Sequence, residues 1–258
     1  MEGISFIIKV RNEEATLEQC IRSLFPVAIP HEIIVILHCC TDRSKEIVET
    51  LAKENSKILI HEYSVEISKA GYETLATDAN SPHSLMTYYN WCIAKAKYLW
   101  KCKWDGDFQM TPELLTYINS NSELWKKHSQ IIRLGAKNST SVEMNEYFTS
   151  CDIRYTKHIF WETPYYQYVP SLYKKHIVND IFINHCSELK DVKPYWVRVP
   201  WYETEDSAEA RLVKSRMEQL VKDFGPEPIG LARSMHPDCE RLGGIIQRAK
   251  PSYVQFTK

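Results

Sequence analysis

Residues 4–10 read ISFIIKV, an apolar run rich in β-branched side chains that ends in the polar stretch RNEE at 11–14. This pattern is typical of a buried strand that delivers a loop at its carboxyl end. Residues 32–37, EIIVIL, and the more mixed segment 57–63, KILIHEY, contain similar but shorter apolar runs, and amphipathic segments separate the three. The alternation of strand and helix predicts an α/β fold, with a mostly parallel sheet covered by helices on both faces.

Composition excludes several classes of protein. The 258 residues are 44% hydrophobic, which is enough to bury a sizeable core. Basic and acidic residues number 32 and 33, so the net charge of -1 provides no overall attraction to nucleic acid or to an anionic membrane. Because no apolar run has the length of a transmembrane segment and the N-terminus does not resemble a signal peptide, a cytoplasmic location is predicted.

The eight cysteines do not suggest a metal or redox centre. None of them forms a Cys-x-x-Cys pair, and most lie in apolar stretches. We therefore expect buried free thiols in place of zinc ligands or disulfides.

Several helix boundaries are marked in the sequence. Thr16 and Gln19 have the spacing of a capping box, and Thr41 or Asp42 is expected to cap the next helix. Three later boundaries follow from the same rules: a start at Thr111-Pro112, a start after Asp206 or Ser207, and a stop at Gly225-Pro226.

Two carboxylates, Asp105 and Asp107, follow the predicted strand at 98–104 and are separated by Gly106. Side chains at i and i+2 of extended backbone lie on one side, and a glycine lets a ligand approach the main chain. Such a pair can hold Mg²⁺ or Mn²⁺, with water and phosphate oxygens completing the coordination. Asp-Gly is also a favoured hairpin turn, so the motif by itself is weak evidence. Lys101 and Lys103 make this strand more polar than a strand buried on both faces.

Four segments, taken in order, resemble the GT-A glycosyltransferases, in particular glycosyltransferase family 2. Residues 10–14, VRNEE, are similar to the Val-Tyr-Asn-Glu-Glu segment that lines the nucleotide pocket in that family. Residues 40–44, CTDRS, are similar to its Ser-Thr-Asp-Gly-Ser turn. Residues 90–96, NWCIAKA, match the Asn-x-Gly to Ala segment before the strand that ends in Asp-x-Asp, here at 105–107. The resemblance covers roughly residues 1–120 and is more specific than any one of its pieces.

The resemblance implies a GT-A fold, Rossmann-like, with a C-terminal acceptor-side elaboration. It implies one domain over 1–225, with a nucleotide-sugar half at 1–110, an acceptor half at 111–225 and a C-terminal extension at 226–258 packing on it. The implied enzyme transfers a hexosyl or deoxyhexosyl group from a nucleotide-sugar donor, UDP-sugar favoured, to a hydroxyl of a glycan or other saccharide acceptor in polysaccharide biosynthesis. Inversion at the anomeric carbon and a Mn²⁺ or Mg²⁺ cofactor are also implied.

The same resemblance assigns residues to roles. Metal ligands would be Asp105 and Asp107. A third ligand would be His185, because some GT-A enzymes use a histidine that follows a late strand and precedes a Lys-Pro segment, here Lys193-Pro194. The expected nucleotide-sugar-binding residues are Val10, Arg11, Asn12, Glu13, His38, Asp42, Lys69, Asp105, Gly106 and Lys190.

The acceptor side depends on other evidence. Nine aromatic residues lie within 147–173, which is typical either of a surface that stacks sugar rings or of a second core. An inverting transfer needs a carboxylate base. Glu162 follows Trp161 in this segment, where burial would raise its pKa, and is the first choice, with Asp152 in reserve.

Three departures from the family pattern bear on function. Leu37-His38 stands where the family places an aspartate against the base, Tyr89 replaces a common arginine, and no Glu-Asp-x-Asp acceptor motif is present in the second half. A catalytically degenerate sugar-binding or nucleotide-binding relative is therefore an alternative. A nucleotidyltransferase of similar fold is another, although the segment at 11–14 lacks the glycine-rich loop expected of one.

Overall fold

The computed structural model describes residues 2–69, 72–78, 80–98, 100–121, 123, 130–138, 148–155, 174–185 and 199–226. The strands in these residues are β1 (Ile4–Val10), β2 (His31–His38), β3 (Ile58–Tyr63), β4 (Trp100–Asp105), β5 (Phe108–Gln109), β6 (Gln130–Asn138), β7 (Phe148–Tyr155) and β8 (Lys174–His185). The helices are α1 (Leu17–Ser23), α2 (Ser44–Glu54), α3 (Tyr72–Ala76), α4 (Leu85–Ala94), α5 (Pro112–Ser120), α6 (Trp201–Thr204) and α7 (Ala208–Phe224).

The strands form one sheet in the order β3-β2-β1-β4-β7-β6-β8-β5. The four strands β3, β2, β1 and β4 are parallel, whereas β7 is antiparallel to both β4 and β6. Further along, β8 is parallel to β6 and antiparallel to β5. The predicted α/β architecture with a mostly parallel sheet flanked by helices is confirmed.

The core of the sheet is dense because the central strands are buried on both faces. Every residue of β2 is buried, and all of β1 except the half-buried Lys9. Phe6 on β1 packs edge to face against Trp104 on β4, with ring centroids 5.8 Å apart. This geometry is favourable for aromatic rings and fixes β4 beside β1.

β4 alternates as the sequence indicates. Trp100, Cys102 and Trp104 are buried, while Lys101 and Lys103 are half-buried. The Lys101 ammonium donates to the Tyr98 carbonyl at 3.1 Å, and burial lowers the pKa of this lysine. The aliphatic part of the Lys101 side chain is therefore covered while its ammonium keeps a hydrogen-bond acceptor.

The predicted helix boundaries have mixed outcomes. Thr111 caps α5 by accepting the Leu114 N–H, and Ser207 caps α7 by accepting the Ala210 N–H. Gly225 follows the last residue of α7 with φ 83°. The predicted capping box at Thr16 and Gln19 is wrong, because Thr16 makes no side-chain cap hydrogen bond to α1 and both side chains bond to the chain that follows β4.

The chain divides into two compact units. One contains the sheet, and the other includes the described residues of 65–91 and 199–226. In the second unit Trp201 donates from Nε1 to Ser68 Oγ at 3.0 Å, and its ring stacks on His83 with centroids 3.7 Å apart. Arg216 on α7 donates to the Ala76 carbonyl at 3.0 Å. α7 is thus tied to α3 at the end of that helix. Residues 227–258, most of the predicted extension, lie outside the described residues.

The described residues bear on the predictions for the cysteines and for membrane-spanning helices. The thiols of Cys20, Cys92 and Cys102 are buried, as predicted, whereas those of Cys39 and Cys40 are half-buried. None of the helices in the described ranges is both long and apolar enough to cross a membrane.

Candidate functional site

Three loops meet at one edge of the sheet, where β1, β2 and β4 end. The register places Val10 beside Leu37 and Lys9 beside Asp105, so the loops after these strands start at the same level. In parallel α/β sheets, ligands bind beyond the carboxyl ends of the strands. This edge is therefore the candidate site.

The loops after β1 and β2 are bonded to each other through Asn12. The Thr41 N–H donates to Asn12 Oδ1 at 2.7 Å, and Asn12 Nδ2 donates to Thr41 Oγ1 at 3.1 Å. Asn12 has φ 56°, a left-handed conformation that asparagine tolerates better than most residues. The amide of Asn12 thus fixes the turn and holds the second loop against it.

Asp42 makes a second connection between the same loops. Its Oδ2 accepts the Glu14 N–H at 2.9 Å and its Oδ1 accepts the Ser44 N–H at 3.0 Å. Ser44 Oγ in turn accepts the Glu13 N–H at 2.9 Å. Both carboxylate oxygens of Asp42 therefore bond to the backbone, which gives this residue a role in loop geometry.

The loop after β4 carries the two aspartates in different environments. The Asp105 side chain is 39% exposed and its Oδ1 lies 3.7 Å from the Lys9 ammonium, whereas Asp107 is only 6% exposed. An accessible carboxylate and a buried one two residues apart supply the hard oxygen ligands that Mg²⁺ and Mn²⁺ prefer. The donor set thus fits a divalent cation that takes its remaining ligands from water and phosphate.

Negative charge is concentrated around this loop, as the thiol of Cys20 shows. Burial raises the pKa of the Cys20 thiol well above its usual value, and the nearby carboxylates of Asp107, Glu13 and Asp105 raise it further. Three acidic groups therefore lie near one buried sulfur. A cation bound there would relieve their mutual repulsion.

Gly106 is in close contact with Glu13. A Cβ placed on Gly106 would lie 3.0 Å from Glu13 Cγ and 3.3 Å from both Glu13 Cβ and Cδ. A larger residue here would require the Glu13 side chain to shift by a few tenths of an ångström. This contact joins the loop after β1 to the loop after β4.

Three further residues predicted to bind the nucleotide sugar lie at the same edge. Val10 is buried, and its carbonyl accepts a hydrogen bond from Cys40 Sγ at 3.4 Å. Arg11 is half-buried. His38 is buried, with its ring centroid 6.2 Å from that of Tyr63, and is the last residue of β2.

Two of the remaining predicted residues have a described backbone near the loop after β4. His185 pairs with Phe108, the residue that follows Asp107. Asp152 precedes Ile153, which pairs with Cys102 on β4. Lys69 lies in the second unit, where its N–H donates to Glu73 Oε2 at 2.9 Å. Glu162 and Lys190 lie outside the described residues.

Three residues at this edge were missed by the reasoning from sequence. Two of them could have been found from the sequence. Lys9 is the lone charged residue in an apolar strand, and Ser44 is the last residue of a segment that resembles a family motif. For Thr16 the sequence is misleading, because a threonine directly before a helix is expected to cap that helix. Its hydroxyl donates instead to the Gly106 carbonyl at 2.9 Å.

Comparison with known proteins agrees with this architecture. Residues 5–69 match the sequence model of glycosyl transferase family 2. No curated protein matches the chain in sequence. Among solved structures, the mannosyltransferase PcManGT from Pyrobaculum calidifontis, in complex with GDP-Man and Mn²⁺, aligns at a TM-score of 0.50 and 10% identity, over 96% of this chain and 75% of that chain.

Staphylococcus aureus TarS, residues 1–349, aligns at a TM-score of 0.49 and 13% identity over 96% of this chain and 82% of that chain. For TarS in complex with UDP-GlcNAc the values are 0.42 and 17%, over 55% of this chain and only 37% of that chain. At 10% identity the PcManGT alignment bears on fold alone, and the two TarS alignments, with TM-scores below 0.5, carry no argument. The chain thus has a GT-A fold, and its residues 5–69 carry the sequence pattern of glycosyl transferase family 2.

Proposed function

We propose that this protein is a metal-dependent glycosyltransferase that moves a sugar from a nucleotide-diphosphate sugar to a hydroxyl of a saccharide acceptor. The observation that carries the proposal is the convergence of three cross-linked loops at the carboxyl edge of the sheet. Asn12 and Asp42 tie the loops after β1 and β2 together, and Gly106 brings Glu13 against the aspartate loop. A donor needs such a rigid cradle, because orientation of the reacting groups lowers the barrier.

The diphosphate end of the donor would lie at Asp105 and Asp107. These carboxylates would hold Mn²⁺ or Mg²⁺, with His185 as a third ligand, since its backbone pairs with Phe108. A bound divalent cation supplies positive charge that stabilises the departing diphosphate. Asp105, the more exposed of the two, would meet an incoming cation first, and the buried Asp107 would add a ligand shielded from water.

The nucleoside would bind where β1 and β2 end, beside Arg11, Asn12 and His38. A UDP-sugar is the favoured donor because it is the commonest in the resembled family. Lys190 is proposed to add positive charge near the phosphates, and the same role for Lys69 stays a prediction. PcManGT binds GDP-Man, so GDP-sugars are tested beside UDP-sugars.

An inverting transfer would use a carboxylate to accept the proton from the acceptor hydroxyl. Glu162 is proposed for this role and Asp152 as the alternative. The backbone of Asp152 lies next to Ile153, the partner of Cys102, on the side that leads toward Asp105. The backbone of Asp152 is therefore close in space to the loop that carries Asp105 and Asp107, although the two segments are far apart in the sequence.

A screen of UDP-, GDP-, dTDP- and CMP-sugars for thermal stabilisation, with and without Mn²⁺, tests the proposal. Ligand at a hundred times its dissociation constant adds about 2.7 kcal/mol to the free energy of unfolding. For a chain of this size that is a rise in Tm of roughly 5–10 °C. We expect one sugar nucleotide to give this rise only with Mn²⁺, and Asp105→Asn to abolish it. Stabilisation that ignores both the metal and the substitution would refute the proposed site.

A further inference from the structure

The loop that carries Asp105 and Asp107 is attached to one face of α1 at successive points. Thr16 Oγ1 donates to the Gly106 carbonyl at 2.9 Å and Cys20 Sγ to the Asp105 carbonyl at 3.4 Å. Gln109 Nε2 donates to Gln19 Oε1 at 2.7 Å, and the Met110 N–H donates to Ser23 Oγ at 3.0 Å. Positions 16, 20 and 23 lie on one face of a helical segment, so α1 forms a template for the whole loop.

Thr16 makes the stronger of the two side-chain hydrogen bonds to the carbonyls of Asp105 and Gly106. Thr16 is 2% exposed, and its bond to Gly106 is buried. In a buried position water does not replace a lost acceptor, so the hydroxyl needs a protein group to accept its hydrogen bond. The thiol of Cys20 is a weak donor by comparison. The hydroxyl oxygen of a threonine before a helix usually accepts a hydrogen bond from a helix N–H group. Thr16 makes no such bond, and its hydroxyl donates to the Gly106 carbonyl instead.

The bond has a geometric consequence for the carboxylates. Because the peptide unit is planar, holding the Gly106 carbonyl fixes the plane that leads into Asp107, just as the Cys20 contact fixes the plane between Asp105 and Gly106. The backbone of Thr16 is also tied to the neighbouring loop, since its N–H donates to the Glu13 carbonyl at 3.0 Å. One residue thus sets the metal loop relative to the loop that carries Asn12 and Glu13.

We propose that Thr16 is a positioning residue, which holds the Asp105-Gly106-Asp107 loop in the conformation that binds the divalent cation. The inference rests on the proposed function, because it assigns Thr16 an effect on the metal site of that function. It predicts that losing the hydroxyl weakens cation binding more than it weakens the fold elsewhere.

Four variants test this through the Mn²⁺ dissociation constant, measured by titration in the presence of UDP. Thr16→Val keeps the shape of the side chain and removes the donor, and Thr16→Ser restores the donor. Thr77→Val is the matched control, because Thr77 is also buried and donates to a backbone carbonyl, that of Glu73 at 2.7 Å, in the second unit. Asp105→Asn reports on the site itself.

We expect Thr16→Val to raise the dissociation constant about tenfold, because a loop released from one buried hydrogen bond should hold the binding conformation about a tenth as often, and Thr16→Ser and Thr77→Val to stay within about twofold of the wild type. Equal constants for Thr16→Val and Thr77→Val, with Mn²⁺ binding lost in Asp105→Asn, would overturn the role of Thr16 alone. Unchanged binding in Asp105→Asn would overturn the proposed function and this inference together.

Ser23→Ala covers the case in which Thr16→Val does not fold. It removes the acceptor of the Met110 N–H at the other end of the loop, at a half-buried position. A dissociation constant raised about threefold would support the template, and a constant equal to that of the wild type would overturn it.

Discussion

Replacing Gly106 with alanine places a methyl group in the most crowded contact of the site. The new Cβ would lie 3.0 Å from Glu13 Cγ, whereas carbon atoms usually approach to about 3.5–4.0 Å. Glu13 cannot retreat as a whole, because its N–H bonds to Ser44 and its carbonyl accepts from both Thr16 and Leu17. The side chain must therefore move by several tenths of an ångström, or the loop must.

Two opposing effects determine the size of the change. Overpacking costs about 1–3 kcal/mol, and the lower end applies because the Glu13 side chain beyond Cβ can turn. Alanine also lowers the conformational entropy of the unfolded chain, which raises the free energy of unfolding by about 0.4–1 kcal/mol. Gly106 is not in the left-handed region that strains alanine, so the net loss expected for Gly106→Ala is at most about 0.6 kcal/mol, read from urea unfolding followed by circular dichroism.

A double-mutant cycle with Glu13→Ala isolates the contact. That substitution removes Cγ and Cδ, two of the three nearest atoms, so Gly106→Ala in its background should be neutral or slightly stabilising. Gly225→Ala serves as the comparison, because its φ of 83° creates strain although nothing lies within 4 Å of the new Cβ. If Gly106→Ala destabilises both backgrounds equally, the Glu13 contact is not the reason for glycine at this position.

Three other substitutions have defined outcomes. Asp42→Ala removes the acceptor for two backbone N–H groups and should lower the free energy of unfolding by about 2 kcal/mol, with Asp42→Asn losing about half as much in the same urea assay. Ser207→Ala removes the cap of α7 and should cost about 1 kcal/mol, while Ser207→Asp stays near the wild type; equal losses would contradict the cap. The bonds from Arg22 lower the pKa of Glu54 below 4.5, so their contribution to stability is present above that pH and is lost as the pH falls through the folded-state pKa. The urea midpoints of the wild type and Arg22→Met should therefore differ at pH 7 and converge as the pH falls below the folded-state pKa of Glu54, and a constant difference would show that the pair does not act through this carboxyl.

The first three parallel strands were predictable because each contains an apolar run and their spacing leaves room for one helix between consecutive strands. β1, β2 and β3 were predicted to within about one residue of their observed bounds. The antiparallel strand β7 was not predicted, since its sequence, FTSCDIRY, mixes polar and apolar residues without a run that marks a buried strand.

At the candidate site, the sequence identified side chains but not their partners. Asp42 was predicted to contact the nucleotide. In the structure one of its carboxylate oxygens accepts the N–H of Glu14, 28 residues earlier in the chain, and the other accepts the N–H of Ser44, two residues later. Thr16 was assigned to the start of its own helix, although its hydroxyl bonds to a carbonyl 90 residues away. Such long-range hydrogen bonds depend on which loops the sheet register brings together. The local spacing of apolar and polar residues does not predict which loops these are.

The central claim is that Asp105 and Asp107 hold a divalent cation beside a nucleoside diphosphate. The most direct measurement is the free Mn²⁺ concentration, read by electron paramagnetic resonance during titration with protein and UDP, for the wild type, Asp105→Asn, Asp107→Asn and the surface control Asp206→Asn. We expect the wild type and Asp206→Asn to bind one Mn²⁺ each with UDP present, and the two site variants to lose that binding. Mn²⁺ binding that survives in both Asp105→Asn and Asp107→Asn would contradict the account.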